Sequence, residues 1–227
     1  MSDSRETAPA ASGNPQRAWA DRAADRSPAV RRSRDRTVQQ AMVMVQAARR
    51  LIEAKGTSFT TQELAAEAGV ALQTFYRHFS SKDHLLLALF EELLAEWTTR
   101  VDRSVRDLPD PLARLRFLMT IALDSLRGNL NPVGPKFMTA EHWRLYQLFP
   151  EEMSRANQLF ADLIERELRA AAAAGQLRSA DPAADAWLVM KLVMSVYHHY
   201  AFATSHEDAD EVADRLMSFC LRSFGVH

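Results

Sequence analysis

Residues 60–89 read TTQELAAEAGVALQTFYRHFSSKDHLLLAL, and the order of caps, breakers and apolar positions in this stretch decides the fold. Thr60 followed by Glu63 makes a reciprocal capping box at a helix start, and Phe59 before it can staple onto Leu64. Gly69 stops that helix, since it enters the left-handed backbone region without steric cost. A second short helix is expected from about Val70 to Phe79, where Ser80-Ser81 breaks it. Steps of 100° around this helix gather Phe75, Phe79 and Leu72 on one side, and Gln73 and Arg77 on the other, flanked by Thr74 and Tyr76. Two short helices joined by a tight glycine turn are the geometry that lets the second helix enter a DNA major groove. The polar side suits that role, because Gln and Arg pair bidentately with adenine and guanine edges while Thr, Tyr and His hold phosphates or touch thymine methyls.

Upstream, Val38, Ala41, Met42, Val45, Ala48 and Ile52 recur at three- and four-residue steps, so an amphipathic helix is expected from Thr37 to Gly56. Residues 1–30 mix Ala, Pro, Ser, Asp and Arg without apolar periodicity and read as a disordered extension. Arg26, Arg31, Arg32, Arg34 and Arg36 directly precede the helix. They read either as a flexible arm that reaches the minor groove or phosphates, or as a solvated tail. Downstream, a long helix is expected from Lys82 to about Val105 on a stripe of Leu85, Leu89, Leu93, Trp97 and Val101, ending before Pro109 and Pro111. Helices are further expected over 112–126, 137–148, 151–174, 182–204 and 207–224. No segment reads as a strand. The fold class is therefore all-α with about nine helices: an extension (1–30), a three-helix helix-turn-helix DNA-binding domain (31–82), and a helical bundle (83–227).

Composition narrows the function. Of 227 residues 47% are hydrophobic, enough for a core without staples, and the single Cys220 excludes internal disulfides and multi-thiolate metal knots. No apolar run reaches the roughly 18 residues of a membrane span, and no targeting signal is legible, so a cytoplasmic protein is expected. Net charge is −1, so any nucleic-acid affinity must come from local positive charge. The Arg- and Ala-rich, Lys-poor bias fits a bacterial source of high GC content.

The run Ala65-Ala66-Glu67-Ala68-Gly69-Val70, the stretch Thr74-Phe75-Tyr76-Arg77-His78-Phe79 and Ser81-Lys82-Asp83 before an apolar helix together resemble the DNA-binding signature of TetR-type repressors. The likeness is motif-level over about 37–95 and architectural beyond. Carried over position by position, it implies DNA contacts from Thr61, Gln62, Gln73, Thr74, Tyr76, Arg77 and His78, and a phosphate held by Lys82. One departure stands out: Ala71 occupies a place where such proteins commonly have a capping Ser or Thr, which costs the recognition helix a cap worth about 1 kcal/mol.

The carboxy-terminal half carries large adaptable apolar groups. Met119, Phe137, Trp143, Phe160, Met190 and Met194 are candidates for lining a cavity, with His142, Tyr146 and His198 to orient a polar ligand head; the competing reading is ordinary core. The resemblance implies that the last two long helices pair with their symmetry mates. Ala186, Val189, Val193, Val196, Val212, Leu216, Phe219 and Cys220 are then the expected dimer surface. A homodimer would space two recognition helices for a palindromic operator in double-stranded DNA, and a small apolar effector would release it. Neither a cofactor nor a membrane partner is expected. No HExxH, Gly-rich phosphate loop or Gly-x-Ser-x-Gly occurs, so an enzyme is not expected. The alternative is a helical protein-interaction module without sequence-specific DNA binding, and repression versus activation stays open.

Overall fold

The structure is a computed structural model that describes residues 27–124, 133–202 and 209–226. Among these residues the chain forms nine α-helices and one 3-10 turn, with no strand. They are α1 Pro28–Lys55, the turn Gly56–Ser58, α2 Thr61–Glu67, α3 Leu72–His78, α4 Lys82–Arg106, α5 Pro111–Asp124, α6 Val133–Leu148, α7 Pro150–Ala173, α8 Pro182–Phe202 and α9 Ala209–Ser223. The expected disordered extension through residue 26, including Arg26, lies outside the described residues.

The chain divides into two units, Met1–Val43 and Met44–His227. In the first, α1 begins at Pro28, nine residues before the expected Thr37. A proline has no N–H to lose at a helix start, and the Arg and Ala residues after it are good helix formers, so the helix needs no apolar stripe there. Arg31, Arg32, Arg34 and Arg36 are accordingly helical, which corrects the flexible-arm reading.

The second unit holds both the helix-turn-helix and the bundle. Met44, Ala47, Ala48 and Ile52 of α1 are buried in it. Side-chain bonds from Gln46 to Glu92 (2.9 Å), Arg49 to Glu96 (3.3 Å) and Arg50 to Glu67 (2.6 Å) fix this end of α1 to α4 and α2. The stripe on α4 is wider than expected: Leu86, Leu87 and Phe90 are buried beside Leu85, Leu89 and Val101. In the bundle, α7 packs against α4, α5, α6 and α8, and α9 lies against α5 and α8. Glu167, buried inside it, is held by Arg166 at 2.7 Å and Arg114 at 3.7 Å, which offsets its desolvation.

Helix α8 corrects the expected dimer surface. Ala186, Val189 and Val193, with Leu216 and Cys220 of α9, are buried in the protomer's own core, while Val196 and Val212 are half-buried. The outward apolar groups are instead Trp187 (51% exposed), Leu188 (53%) and Leu192 on α8, and Phe219 (58%) on α9, which alone of the expected set faces out. The physical reason is that α8 is apolar around most of its circumference, so periodicity does not tell the inward face from the outward one. Among the described residues no helix is long and apolar enough to cross a membrane.

Candidate functional site

The helix-turn-helix is built by local hydrogen bonds that its own sequence supplies. The Thr60 hydroxyl accepts from the Glu63 N–H at 3.2 Å, and the Glu63 carboxylate accepts from the Thr60 N–H at 2.7 Å, completing the capping box. Lys55 also binds Glu63. Chiefly through that ammonium, and then through the Thr60 N–H and hydroxyl, the Glu63 carboxyl is held at about 2. At the other end of α2, the Gly69 N–H donates to Ala66 O (3.1 Å) and the Val70 N–H to Ala65 O (2.9 Å). This paired closure requires left-handed backbone at Gly69, where φ is +66°. Helix α3 then starts at Leu72 rather than Val70, with extended Ala71 at its N-cap and no side-chain cap.

Phe75 and Phe79 of α3 are buried, with ring centroids 6.0 Å apart. They anchor the helix so that Gln73, Tyr76 and Arg77 are exposed on its other side, with Thr74 and His78 half-buried at the edges. Burial and the neighbouring Arg77 charge lower the His78 pKa, which favours the neutral ring. Thr61 and Gln62 open α2. The Thr61 Oγ1 lies 3.4 Å from the Tyr76 hydroxyl, so the two helices are linked on their outer side. Lys82 also has partners within the protein. Its ammonium donates to Thr57 O and, at 2.6 Å, to Phe59 O, and it sits over the Phe59 ring. Two of its three protons thus secure the turn before α2, which leaves one for any phosphate. Ser81 caps α4 by accepting from the His84 N–H at 3.3 Å.

A second candidate site lies in the bundle. A cavity of about 340 Å³ is lined by His142, Trp143, Asn157, Met190, Lys191, Met194, Ser195 and His198. It brings together five of the expected ligand residues: His142, Trp143, Met190, Met194 and His198. Tyr146 stands at its margin, with its ring 5.8 Å from that of His142 and 5.3 Å from the Lys191 Nζ. Met119, Phe137 and Phe160 do not line it. All three are buried, Met119 within the central cluster and Phe160 against Trp97 at 4.9 Å, so they are packing residues. The sequence reading missed Asn157, Lys191 and Ser195. A signal for Lys191 was present, as a lone cation inside the apolar run Trp187–Val193.

His142 is buried, and burial first, then the nearby charges of His198 and Lys191, push its pKa down to about 4. Burial and Lys191 likewise lower His198. The helix that carries His142 also touches α4 and the turn before α2. Arg144 of α6 donates to Asp83 Oδ1 (2.6 Å) at the start of α4, and to Glu141 Oε2 (2.7 Å). Helix α6 also packs against the Gly56–Ser58 turn.

Residues 44–89 match the model of bacterial regulatory proteins, tetR family. Over 110 residues the chain is 36% identical to the nucleoid occlusion factor SlmA of Photobacterium profundum, an alignment that covers 48% of this chain and 54% of that protein. The chain thus spans about half the length of the curated relatives it matches. Among solved structures, the transcriptional regulator FadR of Bacillus subtilis in complex with stearoyl-CoA aligns over 82% of this chain and 99% of its own, with TM-score 0.63 and 16% identity. AibR in complex with isovaleryl coenzyme A and operator DNA aligns over 80% and 98%, with TM-score 0.57 and 21% identity. At these identities the likeness is one of fold. Residues 44–89 thus carry a helix-turn-helix like that of the tetR family of bacterial regulatory proteins, and the chain shares the all-α architecture of the solved structures.

Proposed function

We propose that this chain is a cytoplasmic, non-enzymatic transcription regulator that grips a palindromic operator as a homodimer and is released by a small-molecule effector. The observation that carries the reading is the exposed row Gln73, Tyr76 and Arg77 on α3, standing on buried Phe75 and Phe79. Those side chains have the reach and the donors to read base edges, and Thr61, Gln62, Thr74, His78 and Lys82 around them suit backbone contacts. AibR, a structural neighbour, was solved with both operator DNA and an acyl-coenzyme A, which supports a DNA site and a ligand site in one chain. Functionally the module through residue 82 would bind DNA, and the remainder would sense and dimerise.

Trp187, Leu188, Leu192 and Phe219 form the outward apolar surface of α8 and α9, and an isologous pairing of these helices would cover it. Two α3 helices would then meet successive major-groove faces, about one helical turn or a multiple apart. The route from cavity to DNA would run through α6, which carries His142 and Trp143 on the cavity and Arg144 on Asp83. An effector that favours one placement of α6 shifts α4 and the recognition helices with it, which is a coupling of two equilibria.

Selection of purified protein against random duplex DNA tests the reading. Enrichment of an inverted repeat that the Arg77→Ala variant cannot hold supports it. A folded dimer that enriches no sequence would leave the protein-interaction module as the better reading.

A further inference from the structure

The cavity holds more unanswered polar chemistry than an apolar ligand would satisfy. The Asn157 amide nitrogen donates to Met153 O at 2.9 Å, which identifies it as nitrogen, and it lies 3.4 Å from His142 Nε2. An amide nitrogen only donates, so Nε2 is the accepting atom of this ring, and Nδ1 carries the proton. That Nδ1 is buried with no hydrogen-bond partner among the described residues, and His198 Nε2 is in the same condition. The two rings are 4.8 Å apart. Lys191, on the cavity wall, has no carboxylate within ion-pairing distance among the described residues. Its ammonium lies over the rings of Tyr146 and Trp187 at 5.3 and 5.5 Å. Among the described residues no Asp or Glu lines the cavity. Buried donors left unpaired are costly, and a cluster of one cation and two imidazoles without a counter-charge favours an anion.

The rest of the lining is apolar and adaptable: Trp143, Met190 and Met194. A volume of about 340 Å³ stands at the small end of ligand cavities, which run from about 300 to 1,000 Å³. A coenzyme A thioester, with its nucleotide and pantetheine arms, exceeds this space; a single aromatic ring or a short branched chain does not.

We propose that the cavity takes a compact organic carboxylate, its oxygens between Lys191, His142 Nδ1–H and His198, and its aromatic or branched-alkyl body against Trp143, Met190 and Met194. The depressed basicity of both histidines accords with a site whose counter-ion arrives with the ligand. That the carboxylate acts as an effector rests on the regulator reading above, so binding is measured first without DNA.

The full chain is titrated with 4-isopropylbenzoate, isovalerate and the neutral match 4-isopropylbenzamide by calorimetry and by tryptophan fluorescence. The benzoate should bind at least about tenfold more tightly than the amide, as a charge-assisted hydrogen bond is worth. Lys191→Gln should remove most of that preference, lowering the benzoate's affinity far more than the amide's. Lys191 is half-buried, so this variant should keep its fold, and thermal melting verifies it. Equal affinity for acid and amide, no binding of either carboxylate at millimolar concentration, or tight binding confined to isovaleryl and stearoyl coenzyme A overturns the proposal. Adding DNA then separates the two claims: carboxylate binding without operator release leaves the binding site standing and removes only its role as an effector site.

Discussion

The helix-turn-helix and the bundle cavity solve opposite problems with the same kinds of side chain. In the first, polar groups are answered by residues a few positions away: Thr60 by Glu63, Gly69 and Val70 by the carbonyls of α2, and His84 N–H by Ser81. In the second, His142, Asn157, Lys191 and His198 come from three helices, and two buried imidazole nitrogens have no partner among the described residues. A locally satisfied module is rigid and presents one fixed surface, as a DNA-reading element requires. An unpaired buried donor such as His142 Nδ1–H costs free energy, so a ligand that supplies an acceptor there would shift the balance of states.

The largest effect is expected at the anchor of the rigid module. Phe75→Ala removes a fully buried ring and should cost about 3–5 kcal/mol in a denaturant titration. A loss under about 1 kcal/mol would mean that α3 does not stand on a packed core.

The cavity should declare itself through acid. The His142 pKa is depressed in the folded state to about 4, while the unfolded chain takes up its proton near 6.5. Stability is therefore full above about 6.5 and drains as pH falls toward 4, by roughly 3 kcal/mol at 1.4 kcal/mol per pH unit. Melting curves across that window should show the decline in the wild type and a flatter profile in His142→Gln. A bound carboxylate should oppose the decline.

Caps give the smallest and most local effects. Thr60→Ala deletes half of the capping box and should cost about 1 kcal/mol. Ala71→Ser should return a similar amount, because α3 begins there with an extended, uncapped residue. Gly69→Ala meets no atom within 4 Å, so its cost of about 1–2 kcal/mol would be that of left-handed backbone alone. Additive effects of the three would mark α2 and α3 as independent helices; coupling would mark them as one unit.

These contrasts also explain what was legible in the sequence. Thr60, Glu63, Gly69 and Ser81 announce their structure within four residues, so α2, the turn and the start of α4 were readable almost to the residue. Phe75 and Phe79 against Gln73 and Arg77 followed from helical periodicity. The start of α1 was not, because Arg31, Arg32, Arg34 and Arg36 in the turns after Pro28 leave no apolar period. Nor was the outward face of α8: Val189 and Leu188 are alike as letters, and only packing decides which is buried. The cavity depends on Asn157 of α7 meeting His142 of α6, and helix periodicity carries no information about which helices meet.

In the proposed function α3 reads DNA through its exposed row and not through general charge. The direct test measures affinity for a selected operator and for unrelated duplex, over a range of salt, with Arg77→Ala beside Arg100→Ala. Arg100 is likewise exposed but lies eighteen residues along α4 from Lys82, roughly 27 Å away. Arg77→Ala should lose about 1–3 kcal/mol of operator affinity per half-site, with little change on unrelated duplex, while Arg100→Ala should follow the wild type. Equal losses for the two variants, on both duplexes, would contradict it.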